Sequence, residues 1–447
     1  MRATWMKAAG LRIGLLALGA GALAGCGEQE AAPEAAPASG AAAPGARAAG
    51  TQAAPAQPPA AAPAADDLAQ GLLVAVSRFE QGEGGAPKPH SELLFLRRRG
   101  GRWEASTHED PTAPVFHKAL VFPVPGEGPT ILTLGGSTPR GSAALKLWHR
   151  TPEGLRAEVV WEANFGGKFS RMRDAEIADL DADGTPGLAV ATHDQGVVAW
   201  IEPRGGGGYD VRELDREADT FVHEIEVGDL DRDGVLEVYA TPSEPNRLDG
   251  TPQPGKVVRY VPAAGKGREL VGDLGQRHAK EILVDDVDGD GADELYVSIE
   301  AAEGGSLEVR RYDAGTDPAA GFAIATLADP MCRFLVAADF DGDGRKEMVA
   351  SAKDTGIWLL RPGADPRAAW QTSLVDADSR GFEHATAAAD LDADGRAELY
   401  VASDDHKEIR RYVWADGRFA RETIYARGGA DNVLTWNLTP VPVALMP

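Results

Sequence analysis

Ile282-Leu-Val-Asp-Asp286-Val-Asp288-Gly-Asp290-Gly291-Ala-Asp-Glu294-Leu-Tyr-Val297 decides the fold. It reads apolar strand, acidic loop, apolar strand, and it recurs. Ile177–Val190 carries Asp179, Asp181, Asp183 and Gly184, and Ile225–Tyr239 carries Asp229, Asp231, Asp233 and Gly234. Phe334–Val349 carries Asp339, Asp341, Asp343 and Gly344, and Ala385–Val401 carries Asp390, Asp392, Asp394 and Gly395. The first aspartates stand 50, 57, 53 and 51 residues apart. Each unit continues with two more strand-like stretches, as in Gly196–Ile201 and Tyr209–Leu214. Four strands in roughly fifty residues is the size of a propeller blade.

Working outward, two further units keep the frame without the acidic loop. His117–Gly135 reads apolar, Pro123-Val-Pro125-Gly-Glu127-Gly128, apolar. The chain ends supply the last unit: Val433–Pro440 resembles only a first strand, while Leu72–Ser77, Glu92–Arg97 and Trp103–Ser106 resemble the second to fourth. A C-terminal strand joining N-terminal ones closes such a ring and leaves no open edge. The expected fold is therefore an all-β, seven-bladed β-propeller over residues 68–447, with six or eight blades also compatible.

Three carboxylates at loop positions 1, 3 and 5 converge on one centre, and the glycine at 6 permits the turn. Such a set of hard oxygen ligands suits Ca²⁺ better than Mg²⁺. An EF-hand is excluded because position 12 is apolar throughout (Val190, Ala240, Val297, Ala350, Val401) and strands flank the loop. Position 9 is Glu237, Glu294, Glu347 and Glu398, with Gly187 in the first loop. The pattern resembles the FG-GAP/VCBS repeat of integrin-type propellers over most of residues 70–447. That resemblance implies side-chain ligands at positions 1, 3, 5 and 9. They would be Asp179, Asp181 and Asp183; Asp229, Asp231, Asp233 and Glu237; and Asp286, Asp288, Asp290 and Glu294. The last two sets would be Asp339, Asp341, Asp343 and Glu347, then Asp390, Asp392, Asp394 and Glu398. Up to five structural calcium ions are expected, with dissociation constants of roughly 10⁻⁴ to 10⁻³ M.

The N-terminus is read separately. Arg2, Lys7 and Arg12 precede an apolar run, Ile13–Leu23, too short to span a bilayer. Leu23-Ala24-Gly25-Cys26 resembles the lipobox of bacterial lipoproteins, which implies cleavage after residue 25 and acylation of Cys26. Gly27 in place of Asp implies, by the same resemblance, sorting to the outer membrane, facing the periplasm or the surface. Residues 26–67 are an Ala/Pro-rich tether with nothing large and apolar to bury.

The 69 acidic against 45 basic residues give a net charge of −24, which argues against nucleic acid or an anionic membrane surface as partner. Membrane contact is expected through the lipid anchor only, and the body is expected to be a monomer. Six residues before each first aspartate stand Arg173, His223, Lys280, Arg333 and His384. His117 takes that place in the degenerate blade, and Asn432 takes it if Leu438 holds the frame in the closing strand. On so acidic a chain, this polar ring at the channel mouth is the expected site for an anionic or polyhydroxylated protein or glycan ligand. His193, Asp194, Glu244, Asn246, Glu300, Asp354, Asp404 and Asp405 are expected to rim it; the alternative is a structural polar network lining a wet channel, in which Asp174, Glu224 and Glu281, one step on, only pair with the ring. Three imidazoles in one ring also raise a transition-metal site, without the spacing that would define one. Catalytic motifs are otherwise absent. The alternative is a propeller enzyme, a polysaccharide lyase or hydrolase with a His/Arg/Lys channel site. Cys332 reads as a buried small residue, and Trp200, Trp358 and Trp436 read as core packing.

Overall fold

The computed structural model describes residues 67–81, 87–193, 195–245, 247, 251–302, 304–429 and 432–447. The expected signal peptide, Cys26 and the expected tether up to residue 66 lie outside the described residues, as do Asp194 and Asn246.

Among the described residues, 28 strands form seven four-stranded antiparallel sheets. Blade 1 is composite: β28 (Asn432–Pro442) is innermost, followed outward by β1 (Gln70–Gln81), β2 (Pro87–Arg99) and β3 (Arg102–Asp110). Blades 2 to 7 begin with β4 (Phe116–Val124), β8 (Arg171–Ala178), β12 (Phe221–Gly228), β16 (Ala279–Asp285), β20 (Cys332–Ala338) and β24 (Thr386–Ala389). Each then runs outward through three further strands in chain order. The ring is therefore a seven-bladed propeller closed by strands from both chain ends.

Burial explains why the second strands were so legible. β9 (Gly187–His193), β13 (Glu237–Ser243), β17 (Glu294–Ile299), β21 (Glu347–Ala352) and β25 (Glu398–Ser403) are buried at every residue. A strand covered on both faces reads as a continuous apolar run. Outer strands such as β11 (Tyr209–Asp215) and β23 (Gln371–Asp376) expose most of their residues. Seven apolar clusters occur among the described residues, one at each interface between neighbouring blades. Cys332 belongs to the cluster between blades 5 and 6; its thiol lies 3.2 Å from the Phe334 carbonyl oxygen, and burial raises its pKa.

Candidate metal loops and a basic channel mouth

Each acidic loop joins the first and second strands of its blade. The position-1 aspartate accepts backbone N–H bonds from further round the turn. Asp179 takes those of Asp183 (3.1 Å) and Gly184 (2.8 Å), and Asp390 those of Asp394 (3.0 Å) and Gly395 (2.9 Å). Position 5 accepts from position 7 in all five loops. The backbone is left-handed at positions 4 and 6: Gly289 (φ 76°) and Gly291 (φ 83°) meet that need, while Ala182 (φ 59°) and Ala393 (φ 57°) meet it under strain. The loops are thus shaped by their own hydrogen bonds.

Five acidic groups have ligand oxygens within 4.8 Å of one another, close enough to hold a metal ion. Loop 3 brings together all four expected residues, Asp286, Asp288, Asp290 and Glu294. Loops 1 and 2 bring together their three aspartates, without Glu237. In loops 4 and 5 the groups are Asp339, Asp341 and Glu347, and Asp390, Asp392 and Glu398. Asp343 and Asp394 turn instead to Arg345 (3.0 Å) and Arg396 (2.8 Å). Burial pushes Glu294 and Glu347 up to about 7, outweighing the opposing pull of Arg311 and Arg361. All-oxygen donor sets of this kind fit a hard divalent ion.

The glutamates also have partners invisible in the motif. Glu237, Glu347 and Glu398 accept the backbone N–H of loop position 2 from Leu230, Phe340 and Leu391. An arginine from the third strand of the same blade bridges positions 3 and 9 in four loops. Arg311 lies 2.6 Å from Asp288 and 3.1 Å from Glu294, and Arg361 lies 2.9 Å from Asp341 and 3.3 Å from Glu347. Arg259 spans Asp231 (3.3 Å) and Glu237 (2.5 Å), and Arg411 pairs with Asp392 (2.8 Å) and Glu398. Loop 1 has no such clamp among the described residues. A side chain at Gly187 would meet the Ile201 carbonyl at 2.7 Å, and the third strand there offers half-buried Glu202 beside Asp181. Partial burial, then Asp181, raises the Glu202 pKa.

At the opposite end of the inner strands, five of the ring residues fall within β-bulges. Pairing slips by one residue at His117, Arg173, Lys280, at His223-Glu224 and at Arg333-Phe334. His384, just before β24, takes φ 54°. Bulges re-aim side chains, and here the six are at most 7% exposed. In β28 the slip falls at Trp436, between Thr435 and Asn437. Trp436 therefore fills the seventh ring place, 4.9 Å from His117 and 5.5 Å from the Arg173 guanidinium. Asn432 does not: it is exposed and pairs with Phe79 at the start of the strand. The frame residue is Pro442, four positions beyond Leu438. Asn437 settles this, because it takes the Ala119 N–H (2.9 Å) as Asp174 takes that of Ile225 (3.0 Å) and Glu281 that of Leu335 (2.7 Å).

The mouth is narrow. Arg173 reaches from blade 3 across the channel to Glu383 before blade 7, at 3.4 Å. His117, His193, His223 and His278 run along blades 2 to 5, with ring centroids 6.0, 4.4 and 5.9 Å apart and a 3.0 Å bond between His193 and His223. Burial, then the cations Arg173 and Arg171, holds His117 well below its usual range; burial with Lys280 and Arg333 does the same for His278. His193 and His223 are lowered likewise. No arrangement of these imidazoles appears among the grouped metal donors of the described residues.

Asp174, Glu224 and Glu281 sit just below the ring, with Glu281 in the field of Arg173. They form a separate layer deeper in the channel with Glu176 and Glu226, where Lys118 lies 2.5 Å from Asp174 and 2.6 Å from Glu176. Of the expected rim, His193 is fully buried in the cluster and Glu300 lies 4.0 Å from Arg333. Asp404 accepts the Thr435 N–H at 3.2 Å, while Glu244, Asp354 and Asp405 are exposed. Missed from sequence were Arg171 and His278, eight residues before their first aspartates. The period-2 alternation of a strand places them beside the ring.

His384 gives a measurable consequence. Ser379 (2.9 Å) and the Ala352 carbonyl (2.8 Å) hold its ring, and burial lowers its pKa to about 4. A depressed folded value favours the neutral form, so this contribution is present above pH 6.5 and is lost as pH falls from 6.5 to 4. The loss amounts to about 3 kcal/mol. Thermal melts are expected to fall over that range, and less steeply for His384→Asn, whose side chain tolerates positive φ. An unchanged pH profile in that variant would contradict this.

Residues 286–350 match the FG-GAP-like repeat family. No curated protein matches the chain. Among solved structures, a candidate 6-phosphogluconolactonase from Bacteroides fragilis is 13% identical, with a TM-score of 0.46 over 82% of this chain and 98% of its own. A second, from Bacteroides uniformis, is 14% identical, with a TM-score of 0.48 over 82% and 99%. An exotype rhamnogalacturonan lyase is 16% identical, with a TM-score of 0.45 over 74% of this chain and 55% of its own.

Proposed function

We propose that this chain is a cell-envelope lipoprotein whose calcium-stabilised propeller binds an anionic protein or glycan ligand at its channel mouth. The observation that carries the binding reading is the convergence of Arg171, Arg173, Lys280 and Arg333 with five imidazoles, on a chain of net charge −24. Composition opposes such a cluster, and desolvating like charges together is costly; an anion offsets that cost. The lipobox-like Cys26 and the Ala/Pro tether support outer-membrane anchoring, with the body held off the bilayer. No described helix is long and apolar enough to cross a membrane. The five acidic groups support calcium as the structural ion.

A second reading, a polysaccharide lyase, draws on one specific feature. Neutral buried imidazoles beside fixed guanidiniums suit proton abstraction next to a neutralised uronate carboxylate. Arrays of acidic glycans and peptides, probed with and without calcium, test both. Binding that disappears in His223→Ala/Arg333→Ala/His384→Ala supports the binder, and release of unsaturated sugars supports the lyase. Absence of any anionic ligand from the array hits would overturn both.

A further inference from the structure

We propose that the junction of blades 5 and 6 is a preformed subsite for a single oxyanion, a carboxylate or phosphate group, held by Arg333, His278 and Lys280. The inference deepens the channel-mouth reading and rests on it. Arg333 is 4% exposed, and neither terminal guanidinium nitrogen has a hydrogen-bond partner among the described residues. Its plane is fixed all the same: Phe382 stacks on it at 4.5 Å, and Nε lies 3.4 Å from the Met331 sulfur. His278, 5% exposed, has both ring nitrogens unpartnered. Lys280 lies two residues along as the bulge residue of β16, 3% exposed. His223 brings an unpartnered Nε2 from the next blade, its ring 5.9 Å from His278.

A buried charged donor left unpaired costs about 1–3 kcal/mol or more. Two unpartnered guanidinium nitrogens of Arg333, with the unpartnered ring nitrogens of His278 on the adjacent blade, are a site prepared for an acceptor. A metal ion is unsuited to a set built mainly of cations. A neutral sugar would leave the guanidinium fork half satisfied, whereas an oxyanion fills it in bidentate fashion. Burial limits what can enter to one terminal group of a ligand, not the flank of a polymer. The carboxylates that face the site are Glu300, 4.0 Å from Arg333 with Oε1 unpartnered, and Glu281, whose Oε1 is taken by Leu335 N–H. Burial with Lys280 and Arg333 keeps His278 neutral in the free protein. An arriving anion reverses that field and draws a proton onto the ring.

Calorimetric titration of the full chain with inorganic phosphate and, separately, with D-galacturonate tests the proposal and separates the two sources. Each is run in two buffers of different ionisation enthalpy. At least one probe is expected to bind one-to-one with proton uptake. Arg333→Gln is expected to weaken it about tenfold or more, the loss of one charge-assisted hydrogen bond. His278→Asn is expected to remove the proton uptake. Arg333→Gln is also expected to melt no lower than the parent, because it removes a buried cation whose terminal nitrogens make no hydrogen bond and whose one ion pair, to Glu300, is long; a purely structural arginine would give the reverse. Binding that survives Arg333→Gln and His278→Asn but is lost in Arg173→Gln would overturn the subsite and leave the channel-mouth reading standing. No binding of either probe to the folded parent would overturn the subsite, and silence in the glycan and peptide arrays as well would remove the broader reading.

Discussion

Chelation of divalent cations is expected to lower the melting temperature by about 9 °C without unfolding the protein at room temperature. With a dissociation constant near 10⁻⁴ M and about 1 mM free calcium, one site contributes roughly 1.4 kcal/mol. Five occupied loops would together contribute about 7 kcal/mol. A body of about 380 residues unfolds with an entropy near 0.8 kcal/mol/K, which converts that figure to about 9 °C. The fold should outlast the metal for two reasons. The loops are tied by their own backbone bonds, as at Asp286 to Gly289 (2.8 Å) and Gly291 (2.9 Å). Four of them also carry an arginine between positions 3 and 9, which softens carboxylate repulsion when no ion is present. Differential scanning calorimetry in calcium and in chelator, with elemental analysis of the untreated protein, gives the answer. Equal melting temperatures and a metal-free protein would remove the metal from the account.

The blade frame was legible because Asp-x-Asp-x-Asp-Gly is written into consecutive residues, and a turn needing left-handed backbone at position 6 leaves few residue choices. The ring was legible for the same reason, since Arg173, His223, Lys280, Arg333 and His384 keep a constant offset from that marker. The reading slipped where the marker is missing. No acidic loop follows Leu438, and Pro440 reads as a strand end although β28 runs on to Pro442, so Asn432 took the place that Trp436 holds. Pairs between strands were out of reach altogether. Arg311 meets Glu294 only because β18 (Leu307–Tyr312) lies beside β17, and register of that kind is set by packing and not by local spacing. Arg173 reaching Glu383 joins residues 210 positions apart, which only the closed ring brings together.

The two halves of the channel follow from one strand property. A bulge at the mouth lets neighbouring residues of opposite charge face different levels, so Arg173 joins the basic ring while Asp174 turns to Lys118. Likewise Lys280 stays at the mouth and Glu281 accepts the Leu335 N–H. The carboxylates of that deeper layer thus hold blades together, while the cations gather at the entrance.

Ending the chain after Gly429 is expected to abolish the folded monomer. The loss is β28, the innermost strand of blade 1, which pairs with β1 from Gln70–Pro442 to Phe79–Asn432. Its removal bares the edge of β1, whose Leu72–Val76 stretch is wholly buried in the intact ring. A long apolar edge is a template for aggregation. It also opens two apolar clusters at once, through Trp436 and Val441 on one side and Leu438 on the other. Trp436 alone, 2% exposed and donating to Ser77 at 2.7 Å, is worth about 3–5 kcal/mol as Trp436→Ala. That is a third or more of a typical domain's net stability. Gel filtration and circular dichroism of the truncated chain should show aggregate or unfolded protein. A peptide spanning 432–447, added during refolding, should restore part of the monomer by supplying the missing strand in trans. A truncated chain that stays monomeric and melts within a few degrees of the parent would mean that the ring does not depend on its C-terminal strand for closure.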